Sequence, residues 1–304
     1  MRQNHPVRAA SDGRRGASAN RAPHSNAPLY AALDLGTNSC RMLIAEPDGG
    51  HFRVVDAFSK SVRLGVDLER SGALSQSGIN RTLQALHVCS RKLKKLRVKN
   101  MRLVATEACR RASNGEKFLA RVRNETGLNL EIIDPSEEAR LAVISCAPLL
   151  EQQTEQVLVV DIGGGSTELV WIDLSEVAPE ERAAAMIGIR PGAEHIEGEA
   201  RVVDWISVPL GVATLMHRFS DVETDGARFA LMSCFFEEAL EEFAPYLETN
   251  TPNLATNFQV IGTSGTVTTL GAMHLGLRRY DRNKVDGLRM TSGEVDFVIE
   301  KFLS

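Results

Sequence analysis

The chain has 304 residues, 43% of them hydrophobic and 24% charged, with a formal net charge of −4. That length suggests about two domains, since domains usually hold roughly 100–200 residues. The net negative charge excludes a molecule that attracts polyanions over its whole surface, so any anion site is local, and an aromatic content of 5% argues against a base-stacking nucleic-acid surface.

Five cysteines, odd in number and never spaced as C-x-x-C, fit free thiols in a reducing cytosol better than disulfides or a zinc site. No run approaches the ~18 apolar residues of a membrane helix, and no apolar signal core follows the start. The expectation is a cytoplasmic protein with neither nucleic acid nor membrane as partner.

Residues 1–28 carry Arg2, Arg8, Arg14, Arg15 and Arg21 against the single acid Asp12. Such a segment buries too little apolar surface to offset its ordering entropy. It reads as a disordered basic tail, with an organelle transit peptide as the alternative.

From Leu29 to Ser59 the pattern predicts strand, polar turn, strand, a hairpin at Pro47-Asp48-Gly49-Gly50, and a third strand. Ile79, Leu83, Leu86, Leu93 and Leu96 recur at helical spacing. A strand over Met101–Thr106, a helix over Glu116–Thr126 and a strand over Leu130–Ile133 come next. Ser136 is placed to cap a further helix beyond Pro135. Strands over Val157–Asp161, Glu168–Asp173 and Val202–Val208 follow, then helices over Val212–Phe219 and Ala227–Leu247. Strand Phe258–Ile261 feeds a small-residue turn, Gly262-Thr263-Ser264-Gly265-Thr266, and a helix through Leu275. A last helix covers Val295–Leu303. Residues 174–201 read as a surface excursion with little core value.

The central observation is a repeat. Asp34-Leu35-Gly36-Thr37-Asn38-Ser39 returns as Asp161-Ile162-Gly163-Gly164-Gly165-Ser166, each copy between two apolar runs. Strand, glycine turn and strand used twice marks an internal duplication. Each turn alone is ordinary Asp/Gly/Ser turn chemistry. Two copies plus the later Gly-Thr-Ser-Gly-Thr point instead to a phosphate clamp. Glycine turns let N–H groups converge on one anion, Ser39, Ser166, Thr263, Ser264 and Thr266 add hydroxyls, and the third turn opens a helix. Asp34 and Asp161 repel phosphate directly, so they make sense with Mg²⁺ between.

Paired D-x-G-x-x-S turns with Gly-Thr-Ser-Gly-Thr resemble the actin, sugar-kinase and heat-shock ATPase superfamily. Within it, Ala105-Thr106-Glu107-Ala108-Cys109-Arg110-Arg111-Ala112-Ser113-Asn114-Gly115, Ser136-Glu137-Glu138-Ala139-Arg140-Leu141 and Arg63-Leu64-Gly65 resemble the exopolyphosphatase and guanosine pentaphosphate phosphohydrolase family (Ppx/GppA), over residues 29 to about 300. The resemblance implies an α/β fold of two actin-like (RNase H-like) domains around a central cleft, mixed sheets flanked by helices. Domain I is set at 29–135 and domain II at 136–304.

The implied activity is Mg²⁺-dependent hydrolysis of the terminal phosphoanhydride of polyphosphate or guanosine pentaphosphate. By position, the resemblance makes Glu138 the general base, Asp161 and Glu168 the acids that hold Mg²⁺ and orient water, with Asp34 as a further metal ligand. Arg110 becomes a phosphate ligand beside Gly36, Thr37, Asn38, Ser39, Gly163, Gly164, Gly165, Ser166, Gly262, Thr263, Ser264 and Gly265. Arg63 and Asn114 are weaker candidates, and Glu137 is structural. Without the resemblance, Glu137 and Glu138 would be ordinary first-turn acids and Glu168 a solvent-facing strand residue.

Two departures stand out. Asp134-Pro135 replaces the family's usual Ser-Gly, and the Leu210–Leu215 segment lacks an arginine many relatives carry near Thr214. The family's chain continues past the last helix to a closing helix, so a short-form, truncated member with an uncovered apolar face in domain I is expected. Between Arg91 and Arg111 lie nine basic residues and one acid, either a track for a polyanion or the solvated face of a helix. The alternatives are a non-catalytic sensor of guanosine polyphosphates or polyphosphate and an ATP-gated actin-like scaffold, with a kinase a weaker fourth reading. A homodimer is reasonable for a family handling long polymers.

Overall fold

The computed structural model describes residues 27–49, 51–190, 198–243 and 257–303. Most of the basic tail, residues 1–26, lies outside the described residues, as do residues 244–247 of the helix expected through Leu247; that helix already ends at Ala239, with Leu240 as its cap.

Two mixed sheets organise the chain. The first comprises β1 (Tyr30–Leu35), β2 (Ser39–Asp48), β3 (His51–Ser61), β4 (Asn100–Ala105) and β5 (Glu131–Ile132), in the order β3-β2-β1-β4-β5. The second comprises β6 (Gln156–Ile162), β7 (Thr167–Asp173), β8 (Arg201–Val208) and β9 (Phe258–Thr263), in the order β8-β7-β6-β9. In each, the opening hairpin is antiparallel and its first strand pairs in parallel with a later one. Asp34 stands opposite Arg41, and Asp161 opposite Glu168. The register slips at Ile44/Ala45 in one sheet and at Trp171/Ile172 in the other, ten and eleven residues after each aspartate. The duplication read from two turns thus extends to strand order, pairing and bulge.

The helices are α1 (Leu68–Ser71), α2 (Gln76–Lys95), α3 (Glu107–Arg111), α4 (Gly115–Thr126), α5 (Pro135–Cys146), α6 (Arg182–Gly188), α7 (Val212–Arg218), α8 (Asp225–Ala239), α9 (Ser264–His274), α10 (Arg282–Val285) and α11 (Ser292–Leu303). The apolar stripe of α2 (Ile79, Leu83, Leu86) meets Leu33, Leu35, Ile44 and Phe118 in one cluster. The second sheet is covered on both faces because side chains alternate along a strand. Val170 and Ile172 face α5 through Ala139, Ala142 and Val143, whereas Leu169 and Trp171 face Leu210 and Phe243. On the first sheet, Tyr30 and Val54 remain 49% and 45% exposed. Among the described residues no helix is long and apolar enough to cross a membrane.

Three expectations need correction. Residues 174–190 are no surface excursion, while 191–197 of that expected segment lie outside the described residues: Leu174, Val177, Met186 and Ile189 are buried, and Arg182 is buried with its guanidinium on the carbonyls of Val177, Gln152 and Thr154. The cap of α5 is Asp134 and not Ser136. Pro135 occupies the first helical position, where its missing N–H costs nothing, and Asp134 Oδ1 accepts from Glu137 N–H at 2.9 Å. The third turn does not exist as a separate loop. Gly262 and Thr263 still belong to β9, Gly262 opposite Val160, and the chain passes directly into α9 at Ser264.

Candidate active site

The two glycine turns have one construction. Gly36 N–H donates to Ser39 O at 2.9 Å and Gly163 N–H to Ser166 O at 3.0 Å. The N–H groups of Thr37, Asn38, Gly164 and Gly165 donate to no acceptor among the described residues, leaving donors at both tips of the kind that bind anions.

The turns touch. A Cβ on Gly164 would lie 3.0 Å from Asn38 Cβ, and one on Gly165 3.1 Å from both Thr37 Cβ and Glu107 Cγ. The second turn is also backed by α7, whose Val212 and Ala213 N–H groups donate to the carbonyls of Gly163 and Gly164 at 3.1 and 2.9 Å. Gly211 makes this approach feasible, since a Cβ there would stand 2.6 Å from Gly164 O.

Below the turns four carboxylates converge. Burial pushes Asp34 up to about 6, with Arg41 opposing and Asp161 adding to the shift. Burial also raises Asp161, against the Ser264 hydroxyl and Arg41; its Oδ1 is buried with no hydrogen-bond partner. Burial first and Glu168 second raise Glu138, which Arg110 draws down. Glu168, 2% exposed, is raised by burial and by Asp161, while Ser166 and Ser207 stabilise its charged form, the latter hydroxyl donating at 2.9 Å. This burial rules out the solvent-facing alternative for Glu168.

Arg110, on α3, ties the site together. Its Nη2 donates to Glu107 Oε2 at 2.6 Å and to Glu138 Oε2 at 3.2 Å, and Nη1 to Ile133 O at 2.6 Å. Glu137 lies apart, bound by Arg140 and Arg102, as a structural acid should be. Asn114 is structural as well: its amide brackets Leu74, accepting from N–H at 2.8 Å and donating to O at 3.0 Å. A Cβ on Gly262 would stand 2.7 Å from Val267 Cγ1, so the strand packs closely on α9 there. Ser264 adopts left-handed backbone, φ 75°, a cost that non-glycine residues usually meet only where surroundings enforce it.

Sequence reasoning missed two residues. Arg41 is the cation facing both Asp34 and Asp161, and its Nη2 lies 3.2 Å from where a Gly265 Cβ would be, so it reaches from the first sheet to the start of α9. It follows Asp34 by seven positions, as Glu168 follows Asp161, and the repeat itself was the available signal. Glu107, counted only as the lone acid in a basic run, is 6% exposed and paired with Arg110 and Arg111. Within that run Lys92, Arg102, Arg110 and Arg111 are ion-paired, whereas Arg91, Lys94, Lys95, Arg97 and Lys99 are exposed.

Among the described residues no group of three or more His, Cys, Asp or Glu side chains is placed to hold a metal ion. A buried, unpartnered Asp161 oxygen beside raised acids nevertheless fits Mg²⁺, which takes one or two carboxylates and completes its shell with water and substrate phosphates.

A model of the Ppx/GppA phosphatase family matches residues 43–303. Guanosine-5'-triphosphate,3'-diphosphate pyrophosphatase of Aeromonas salmonicida (strain A449) is 33% identical over 220 residues, which are 72% of this chain and 39% of that protein. The chain therefore spans well under half the length of this curated relative. Among solved structures, the PPX-GPPA enzyme of Aquifex aeolicus superposes with a TM-score of 0.64 at 28% identity, over 90% of this chain and 80% of its own. An exopolyphosphatase-like protein gives 0.74 at 27% identity, over 91% and 78%.

Proposed function

Because the chain belongs to the Ppx/GppA phosphatase family, we propose that it hydrolyses the terminal phosphoanhydride of inorganic polyphosphate, of guanosine pentaphosphate, or of both. The observation that carries this reading is the convergence of Asp34, Glu138, Asp161 and Glu168 beneath two touching turns with free N–H groups. Burying several acids together is costly, and perturbed acids of this kind cluster at functional sites.

The free N–H groups of Thr37, Asn38, Gly164 and Gly165 take the oxygens of the terminal phosphate. Glu138 accepts the proton of the attacking water, a role worth roughly 10²–10⁴ in rate. Its raised proton affinity suits a base working near neutrality, and Arg110 fixes its carboxylate through Nη2. Glu168, held by Ser207 and Ser166, keeps its charge more readily and orients the water. Asp161, with its unpartnered buried oxygen, and one of Asp34 and Glu168 would hold Mg²⁺, with water and substrate phosphates filling the other positions; the ion would supply positive charge to the phosphate oxygens. We draw the boundary between the two halves at 135/136, in the first turn of α5, which packs on the second sheet. The five free cysteines, four of them buried, support a cytoplasmic location.

Phosphate release from tripolyphosphate, long-chain polyphosphate and guanosine pentaphosphate, with Mg²⁺ and with chelator, tests the proposal. Release from at least one substrate, lost on chelation, is expected. Binding without release would show a sensor, and ATP-dependent filaments without release a scaffold.

A further inference from the structure

We propose that the groove lined by Ser61, Arg63, Val66 and Arg81 binds a second phosphate group of the substrate, remote from the one released. The proposal rests on the hydrolase reading above and concerns the part of the substrate that reading leaves unassigned.

The groove encloses about 450 Å³ and carries two guanidinium groups with no acid in its lining. Arg81, on α2, is oriented by its own protein contacts: Nε donates to Val62 O at 3.0 Å and Nη2 to Arg63 O at 3.1 Å. Its Nη1 has no acceptor among the described residues. A fork fixed on one edge and open on the other is pre-organised for phosphate oxygens. The Arg63 side chain is exposed and forms no ion pair among the described residues. This contrasts with Arg53, Arg70, Lys92, Arg102, Arg110 and Arg111, each of which has a carboxylate partner.

Backbone geometry joins the groove to the reaction centre. Arg63 has φ 49°, a left-handed conformation unfavourable for a side chain of this kind. It is held there by its own N–H donating to Asn38 O at 2.9 Å and by Arg81 on its carbonyl. Val62 N–H donates to Asn38 O as well, at 2.8 Å, and the Ser61 hydroxyl lies 3.4 Å from both Asn38 oxygens. The groove therefore continues from the tip of the first phosphate turn.

Charge selects this direction over the neighbouring one. On the other side of Val66 a cavity of about 130 Å³ also touches the turns, through Thr37 and Gly165, but Asp67, Glu69 and Glu107 line it against Arg111 and His217. Three carboxylates against one arginine leave that cavity net negative, so a polyanion is favoured in the groove of Arg63 and Arg81. The ligand chemistry is a phosphate group away from the scissile anhydride. An inner phosphate of polyphosphate and the 3′-diphosphate of guanosine pentaphosphate both supply it.

The test is Arg63→Asn, which removes the charge while asparagine tolerates the left-handed backbone, with Arg81→Lys as a second variant that keeps charge but loses the fork. KM and kcat are measured on tripolyphosphate, long-chain polyphosphate and guanosine pentaphosphate, and binding of guanosine tetraphosphate is measured directly. We expect a KM raised about tenfold or more on a longer substrate, the size of a lost charge-assisted hydrogen bond. The kcat should stay within about twofold, and tripolyphosphate should be least affected. An increase with polyphosphate alone assigns the groove to inner phosphates. An increase with guanosine pentaphosphate, together with weakened guanosine tetraphosphate binding, assigns it to the 3′-diphosphate. Equal effects on all three substrates, or none on either longer one, would overturn the proposal. If the wild-type chain released no phosphate, the hydrolase reading would fail separately. Unchanged binding of both polyanions to Arg63→Asn would then overturn the groove as well.

Discussion

Removing Arg110 strands a buried charge, and the cost can be worked from its contacts. The side chain donates to Glu107 at 2.6 and 3.2 Å, to Ile133 O at 2.6 Å and to Glu138 at 3.2 Å. The Glu107 side chain is only 8% exposed, and its remaining cation, Arg111 Nε, stands 3.6 Å away. Breaking a buried pair from one side typically costs about 3–5 kcal/mol, mostly as the penalty of the abandoned charge. Arg110→Met should therefore lower stability by about 3 kcal/mol in urea denaturation near neutral pH. Adding Glu107→Gln removes the stranded carboxylate, so the double variant should lose less than the sum of the single losses, by about 1–3 kcal/mol. Losses that add to within about 0.5 kcal/mol would refute the coupling. The same substitution bears on chemistry. Arg110 draws the Glu138 carboxyl down, so without it Glu138 ionises at higher pH. Activity that needs the ionised base should then rise only at higher pH; a shift to lower pH would contradict the assignment.

Gly211→Ala would put a methyl group against the Gly164 backbone; overpacking of this kind costs about 1–3 kcal/mol, and turnover should fall with stability because the second turn must shift. Wild-type stability and activity in that variant would show that α7 does not brace the turn. For Asp34, pushed up to about 6 from 3.8, the sign follows from a raised folded-state value. Its contribution is fully present below about 4 and is lost as pH rises through 6. Asp34→Asn should therefore gain thermal stability relative to wild type between those pH values and hold the gain above them, while activity falls; a gain confined to acid pH would reverse the argument.

The duplication was legible because turn chemistry is local: Asp, Gly and Ser at fixed offsets announce both hairpins before any packing is known. Helix α2 was legible from its period. Leu174, Val177, Met186 and Ile189 were not, since they reach the core one at a time from irregular chain and α6 and so leave no sustained period. The α5 cap was misassigned because two residues able to cap flank Pro135, and the N–H groups choose Asp134. Glu107 illustrates a deeper limit. A carboxylate is buried here because Arg110 and Arg111 follow it by three and four positions and fold over it, and a count of charges reads that cluster as a basic surface. Arg41 was concealed by its type, since the repeat places an arginine where the second copy has Glu168.

The central claim is that Glu138 takes the proton of the attacking water. Its most direct test is phosphate release by wild type and by Glu138→Gln at saturating substrate and Mg²⁺, with substrate binding measured on both. Retained binding with a kcat reduced by about 10²–10⁴ is expected; retained binding with a kcat within a few-fold of wild type would contradict this role for Glu138.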